Sequence, residues 1–143
     1  MRTIGQLKGI MNHESGKKSI RSFTDLDTWK EGHKLVVSIY RITKTFPSDE
    51  QFGLTSQIRR AAVSITSNIA EGFSRLSYAD KAHFFTMAHG SLTEVQNQLL
   101  VSRDVGYISC DNFENLAEQS VITHKLLTGL LKSTKQHTKL HNS

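Results

Sequence analysis

Apolar residues recur at steps of three and four through four stretches of the chain, separated by polar segments carrying glycine or proline. Such spacing turns one face of a helix towards a core. The first stretch runs from about Asp25 to about Thr45, with Leu26, Trp29, His33, Val36, Ile39, Tyr40 and Thr43 predicted inward. Thr24 and Asp25 offer oxygens to the unpaired N–H groups of its first turn, and Asp25 and Asp27 suit the positive end of the helix dipole. Pro47, the only proline, stops it, because proline has no N–H and biases the preceding residue away from helix. The second stretch, about Phe52 to about Arg75, has its stripe at Leu54, Ile58, Ala61, Ala62, Ile65, Ile69 and Phe73. Gly72 near its end either frays the helix or admits a neighbouring backbone. The third starts at Ser77, whose spacing to Asp80 fits a capping box, and runs to about Val105. Its stripe is Tyr78, Ala82, Phe85, Ala88, His89, Leu92, Val95 and Leu99, and Gly106 suits the left-handed residue just past its end. The last runs from about Cys110 to about Lys132, with Phe113, Leu116, Ala117, Val121, Leu127, Leu130 and Leu131 inward.

Connections this short force neighbouring helices to run antiparallel, so the fold expected is all-α, an antiparallel up-and-down four-helix bundle. The division expected is a basic, disordered N-terminal segment at 1–22, the bundle at 23–132, and a basic C-terminal tail at 133–143. Two of the apolar faces are wider than a lone bundle needs. Val63 and Ser67 lie off the main stripe of the second helix, and Phe84 and Met87 off that of the third. Extra surface of this kind predicts self-association; the plainer reading is that Ile4, Leu7, Ile10 and Ile20 cover it.

Charge changes the picture at the ends. The chain has 143 residues and a net charge of +5. Residues 1–22 hold five basic residues against one acid, and 132–143 hold three lysines and no acid. The intervening 109 residues hold ten basic and twelve acidic side chains, so the basicity belongs to the ends. Basic ends bind a phosphate backbone or an acidic surface; they also simply aid solubility. No apolar run reaches the length of a signal or of a membrane span, so a soluble, cytoplasmic protein of bacterial type, without membrane contact, is expected.

Candidate chemistry is sparse. Cys110 is the single cysteine, which excludes an internal disulfide and a multi-cysteine metal site. Asp80 and His83 are the nearest approach to the Glu-x-x-His pairs of di-iron bundles, but they occur once and Asp80 is explained as a cap. The seven histidines show no ligand spacing, and the nine glycines form no phosphate-binding loop. No catalytic residue, metal or cofactor is assigned, and no enzyme is expected. The strongest polar signal is Arg59–Arg60. Adjacent helical residues stand about 100° apart, so the two cannot share a face. Either they make salt bridges, to Glu71, Asp104 or Glu94, or their planar guanidinium groups contact phosphates. Arg75 and Lys81 flank the following turn and extend the candidate nucleic-acid-binding set to Arg59, Arg60, Arg75 and Lys81. The self-association set is Val63, Ser67, Phe84 and Met87. Asn68, near the inner arc, suits a register-fixing polar contact.

Five segments carry a resemblance: Asp25–Lys30, Phe46–Pro47, Phe52–Ile65, Asn68–Phe73 and Gly90–Glu94. They are similar to the bacterial four-helix-bundle family first noticed as reading frames inside intervening sequences of 23S ribosomal RNA genes. The similarity covers about residues 24–132, with Thr66-Ser67 standing where the family often has Pro-Ala. What it implies is an up-and-down bundle that assembles into a ring, commonly a pentamer. A relative, the accessory variability determinant of diversity-generating retroelements, partners a reverse transcriptase and binds nucleic acid through basic surface. The function expected is therefore a non-enzymatic oligomeric scaffold or adaptor associated with RNA or DNA. The alternative is a purely protein-binding oligomer, such as an accessory partner of a reverse transcriptase or another enzyme.

Overall fold

A computed structural model describes residues 19–141. A short 3-10 turn, Phe23–Asp25, precedes four helices: α1 Asp27–Thr43, α2 Leu54–Ser74, α3 Tyr78–Asp104 and α4 Cys110–His141. A second 3-10 turn, Ser48–Glu50, follows Pro47 between α1 and α2, and no strand occurs among the described residues. The chain is thus the all-α four-helix fold that the spacing predicts. Ile4, Leu7 and Ile10, the alternative cover for the wide apolar faces, lie outside the described residues; Ile20 is 46% exposed.

The helix ends follow from local chemistry. Ser22 caps the first turn while the Asp25 carboxylate accepts from the backbone N–H groups of Arg21 and Ser22, both at 3.0 Å. This reciprocal cap occupies Asp25, so α1 starts at Asp27. The Ser77 hydroxyl accepts from the Asp80 N–H at 3.1 Å, and Ser109 serves Asn112 in the same way at the start of α4. α3 ends in a Schellman motif. Gly106 has φ +83°, its N–H donates to the Arg103 carbonyl, and the Tyr107 N–H donates to that of Ser102.

Contacts between consecutive helices run in opposite order. Thr43 meets Arg59 while Gly32 lies against Thr66; Arg60 meets Glu94 while Gly72 lies against Phe85; His89 meets His124 while Arg103 lies over Phe113. Each helix therefore runs antiparallel to the one before it. α1 packs on α2 and α4, and α3 packs on α2 and α4, and the backbones of diagonal helices do not approach one another among the described residues. The core between them holds Leu35, Ile39, Ile58, Ala61, Ala62, Ile65, Ile69, Phe85, Leu92, Val95, Leu99 and Leu127.

Two parts of the predicted pattern are displaced. In α1 the buried residues are Thr28, Gly32, Leu35, Ile39 and Thr43, so the inward face is turned from the one drawn through Trp29, His33 and Val36. Trp29 and Val36 pack at the edge of the core, and His33 is exposed. In α4 the buried line passes through Leu116, Ser120, Thr123, Leu127 and Thr134, leaving Val121 45% exposed. This line continues past Leu131, so α4 reaches His141 and the segment expected as a basic tail is helical that far. The buried hydroxyls serve their own helix: Thr123 donates to the Gln119 carbonyl at 2.9 Å and Thr134 to that of Leu130 at 2.7 Å.

Candidate functional site

The four candidate nucleic-acid contacts all have partners within the chain. α2 has α1 on one flank and α3 on the other, and the two adjacent arginines divide between them. Arg59 Nε donates to Thr43 Oγ1 at 2.8 Å, Nη2 reaches the Tyr40 carbonyl at 3.4 Å, and the guanidinium sits 4.8 Å from the centre of the Tyr40 ring. It closes the α1–α2 seam. Arg60 turns to α3, where Nη2 donates to the Glu94 carboxylate and to Gln57 Oε1. The Arg60 and Glu94 side chains are 55% and 38% exposed, so the pair is worth at most about 1 kcal/mol. Of the partners expected for the arginines, Glu94 is the one engaged.

Arg75 and Lys81 lie at the far end of α2, about 24 Å from Arg59 by helix rise. The Arg75 guanidinium covers Phe84 at 4.5 Å and meets Glu71 at 3.4 Å. Lys81 Nζ donates to the Phe73 carbonyl at 2.7 Å and to that of Gly72 at 3.4 Å. These carbonyls belong to the last turn of α2; that of Gly72 also accepts from the Arg75 N–H at 3.3 Å, and Lys81 adds a side-chain cap over the helix end. Burial pulls its ammonium below the usual lysine range. The four residues thus form two separated groups, each engaged in holding helices together.

The predicted self-association residues follow one outer seam. Rungs at Arg60/Glu94, Ser64/Ser91 (2.8 Å between hydroxyl oxygens) and Gly72/Phe84 set the α2–α3 register. Val63 is 39% and Met87 45% exposed; Ser67 is exposed, and Phe84 is half-buried beneath Arg75. Gly90 on the same helix leaves bare backbone, since a Cβ there would meet nothing within 4 Å. Asn68 Nδ2 donates to the Ser64 carbonyl at 2.9 Å and to its hydroxyl at 3.1 Å. Both Asn68 bonds stay within α2, so the polar contact that crosses the seam is Ser64 with Ser91, and Asn68 joins it only through Ser64.

α4 carries a feature that the sequence reading split in two. Its acids, Asp111, Glu114 and Glu118, all precede residue 119, and its lysines, Lys125, Lys132, Lys135 and Lys139, all follow residue 124. All four lysines are exposed and make no ion pair among the described residues. The stripe leads to a groove of about 720 Å³ between α1 and α4, lined by Trp29, Lys30, His33, Lys34, Ile122 and Lys125. The Trp29 and His33 rings stack there with centroids 4.7 Å apart.

On the neighbouring seam, His89 of α3 and His124 of α4 meet directly, with Nε2 atoms 3.0 Å apart. No spacing rule joins residues on different helices that far apart in the chain, so the pair carries no signal in the sequence. Cys110 is exposed at the start of α4. No helix among the described residues is long and apolar enough to cross a membrane.

No functionally curated protein matches the chain. A solved protein of unknown function from the S23 ribosomal protein family, from Bacteroides thetaiotaomicron VPI-5482, superposes with a TM-score of 0.69 at 24% identity. The superposition covers 73% of this chain and 98% of that one, a likeness of fold. The profile of the 23S rRNA-intervening sequence proteins matches residues 24–129, from the first turn to the middle of α4. With all four helices inside or entering that match, the chain belongs to the 23S rRNA-intervening sequence protein family.

Proposed function

We propose that the protein is a non-enzymatic, self-associating four-helix scaffold that contacts RNA or DNA through the lysine stripe of α4. The observation that supports this most is the position of those lysines. Lys125, Lys132 and Lys139 recur every seven residues, which returns a helix to nearly the same face, and Lys135 flanks them. Their rise is about 10.5 Å per step, a rod of positive charge about 21 Å long. The helix dipole favours cations only within the last turn, so it accounts for Lys139 and leaves Lys125 and Lys132 unexplained. A phosphate backbone, with a charge about every 3.4 Å along each strand, offers partners over the whole length of such a rod. Arg59, Arg60 and Lys81, which already hold helices together, take no part in this reading.

Self-association rests on the exposed strip of Val63, Ser67 and Met87 beside Gly90. Several copies would multiply weak stripes into useful avidity.

A salt titration of labelled single-stranded RNA tests the reading. Between about 50 and about 200 mM salt, log K falls linearly with log salt, by about 0.7 to 0.9 per phosphate neutralised. The triple variant Lys132→Gln, Lys135→Gln, Lys139→Gln is expected to reduce that slope by about 2 to 3. Light scattering on the same sample is expected to give a multiple of 16.1 kDa. An unchanged slope removes the stripe from the reading. Absence of binding at low salt, with the multiple mass intact, leaves a scaffold for protein partners, a reverse transcriptase among them.

A further inference from the structure

We propose that His89 and His124 form a two-histidine chelate for a divalent transition-metal ion, Cu²⁺ or Ni²⁺, on the α3–α4 seam. The two Nε2 atoms stand 3.0 Å apart. Imidazole nitrogens bind such ions at about 2.0 to 2.1 Å, so two in neighbouring positions of a square or octahedral ion are about 3.0 Å apart. A tetrahedral ion would separate them to about 3.4 Å, which places zinc second.

The ring orientation agrees. The centroids are 4.9 Å apart and the planes differ by 51°. That centroid distance is shorter than a head-on N···N contact of 3.0 Å would give, so the rings are tilted off the line joining their nitrogens. A tilt is what two lone pairs need to reach one ion. Without an ion, one Nε2 must carry a proton that the other accepts. With both protons on Nδ1, two acceptors face each other, and a cation between them satisfies both.

The frame is rigid. Each donor sits inside a long helix, and the next contact along the seam, Gln96 Nε2 to Ser120 Oγ at 3.2 Å, holds the same two helices. No third His, Cys, Asp or Glu completes a cluster among the described residues. The other positions on the ion are therefore open to water, and affinity is set by the two imidazoles. Ligand order favours Cu²⁺ over Ni²⁺ and over zinc for such nitrogen pairs.

The test titrates Cu²⁺ alone into the full chain and follows thermal unfolding and electron paramagnetic resonance. The first equivalent is expected to raise the unfolding midpoint and to show two nitrogen ligands. His89→Gln and His124→Gln are each expected to weaken that binding by at least about tenfold. His33→Gln and His83→Gln, both exposed and on other faces, leave it unchanged. If the first equivalent keeps its affinity and spectrum in both pair variants, the inference is overturned. If a pair variant fails to fold by circular dichroism, the unaltered protein decides by nuclear magnetic resonance. One equivalent of Cu²⁺ must broaden the ring signals of His89 and His124 before those of the other histidines; any other order overturns it.

Discussion

Replacing Gly72 by valine is expected to lower the unfolding free energy by about 3 kcal/mol, a fall of about 10 °C in the midpoint. Gly72 is buried on the side of α2 that faces α3. A Cβ built on it would stand 2.6 Å and 2.8 Å from two ring carbons of Phe85 and 3.2 Å from Phe84 Cβ. The Phe85 ring is itself 2% exposed, so pushing it aside disturbs the core it is packed in. Valine adds two further methyls and a stiff χ1 to that clash. Gly129→Ala is the control. It lies exposed inside α4, where a Cβ meets nothing within 4 Å, so alanine gains about 0.5 to 1 kcal/mol of helix propensity. Thermal unfolding of both variants separates the effects. Opposite signs mean that close approach, not helix propensity, keeps glycine at position 72; a Gly72 variant more stable than the parent contradicts the packing described.

The second large effect distinguishes two neighbours on α1. Leu35 has no exposed surface and sits between α1 and the rest of the core. Leu35→Ala is expected to cost about 2 to 5 kcal/mol, the lost transfer energy plus the cavity left behind. His33, two residues earlier, is exposed and touches the chain by stacking on Trp29. His33→Ala is expected to stay within about 0.5 kcal/mol of the parent. Denaturant titration measures both. Equal losses would mean that α1 presents the face through His33 to the core, contrary to the burial of Leu35 and the exposure of His33.

That contrast also shows how far the apolar pattern could be followed. α2 and α3 are legible because most of their buried positions are Ile, Leu, Val, Phe and Ala, which the spacing counts directly; Thr55, Gly72, Gln98 and Ser102 are the buried positions it does not count. α1 and α4 were turned because small or hydroxylated residues occupy their buried lines: Thr28, Gly32 and Thr43 in one, Ser120, Thr123 and Thr134 in the other. A hydroxyl that donates to the carbonyl one turn back satisfies itself, so threonine can be buried at little cost without looking apolar. The eye then takes Trp29, His33 or Val121 instead. The same substitution hid the length of α4. Its inward leucines stop at Leu131, since Leu140 is 73% exposed, but Thr134 continues the buried line, and Tyr78 meets His137 with ring centroids 4.8 Å apart.

The surfaces divide in the same way. Val63, Ser67, Phe84 and Met87 fall on one seam, because residues flanking two stripes that pack together must flank one interface. The arginine pair drew notice as charge, yet its geometry is that of two clasps, one to Thr43 and Tyr40 and one to Glu94. In the sequence Lys132, Lys135 and Lys139 read as a basic end, while Lys125 stands apart within the preceding helix. Their common face exists only once the helix runs to His141. The His89–His124 contact depends on the α3–α4 register and has no local signature at all.

Lysine footprinting by amine acylation and mass spectrometry, with and without single-stranded RNA at low salt, tests the role of the α4 stripe most directly. Lys125, Lys132, Lys135 and Lys139 are expected to be protected by RNA, while Lys44, at the other end of the bundle, keeps its reactivity. Lys81 is expected to react slowly in both samples, because its ammonium is held by the Phe73 and Gly72 carbonyls. Equal reactivity of the four α4 lysines with and without bound RNA, or protection centred on Lys44, would contradict it.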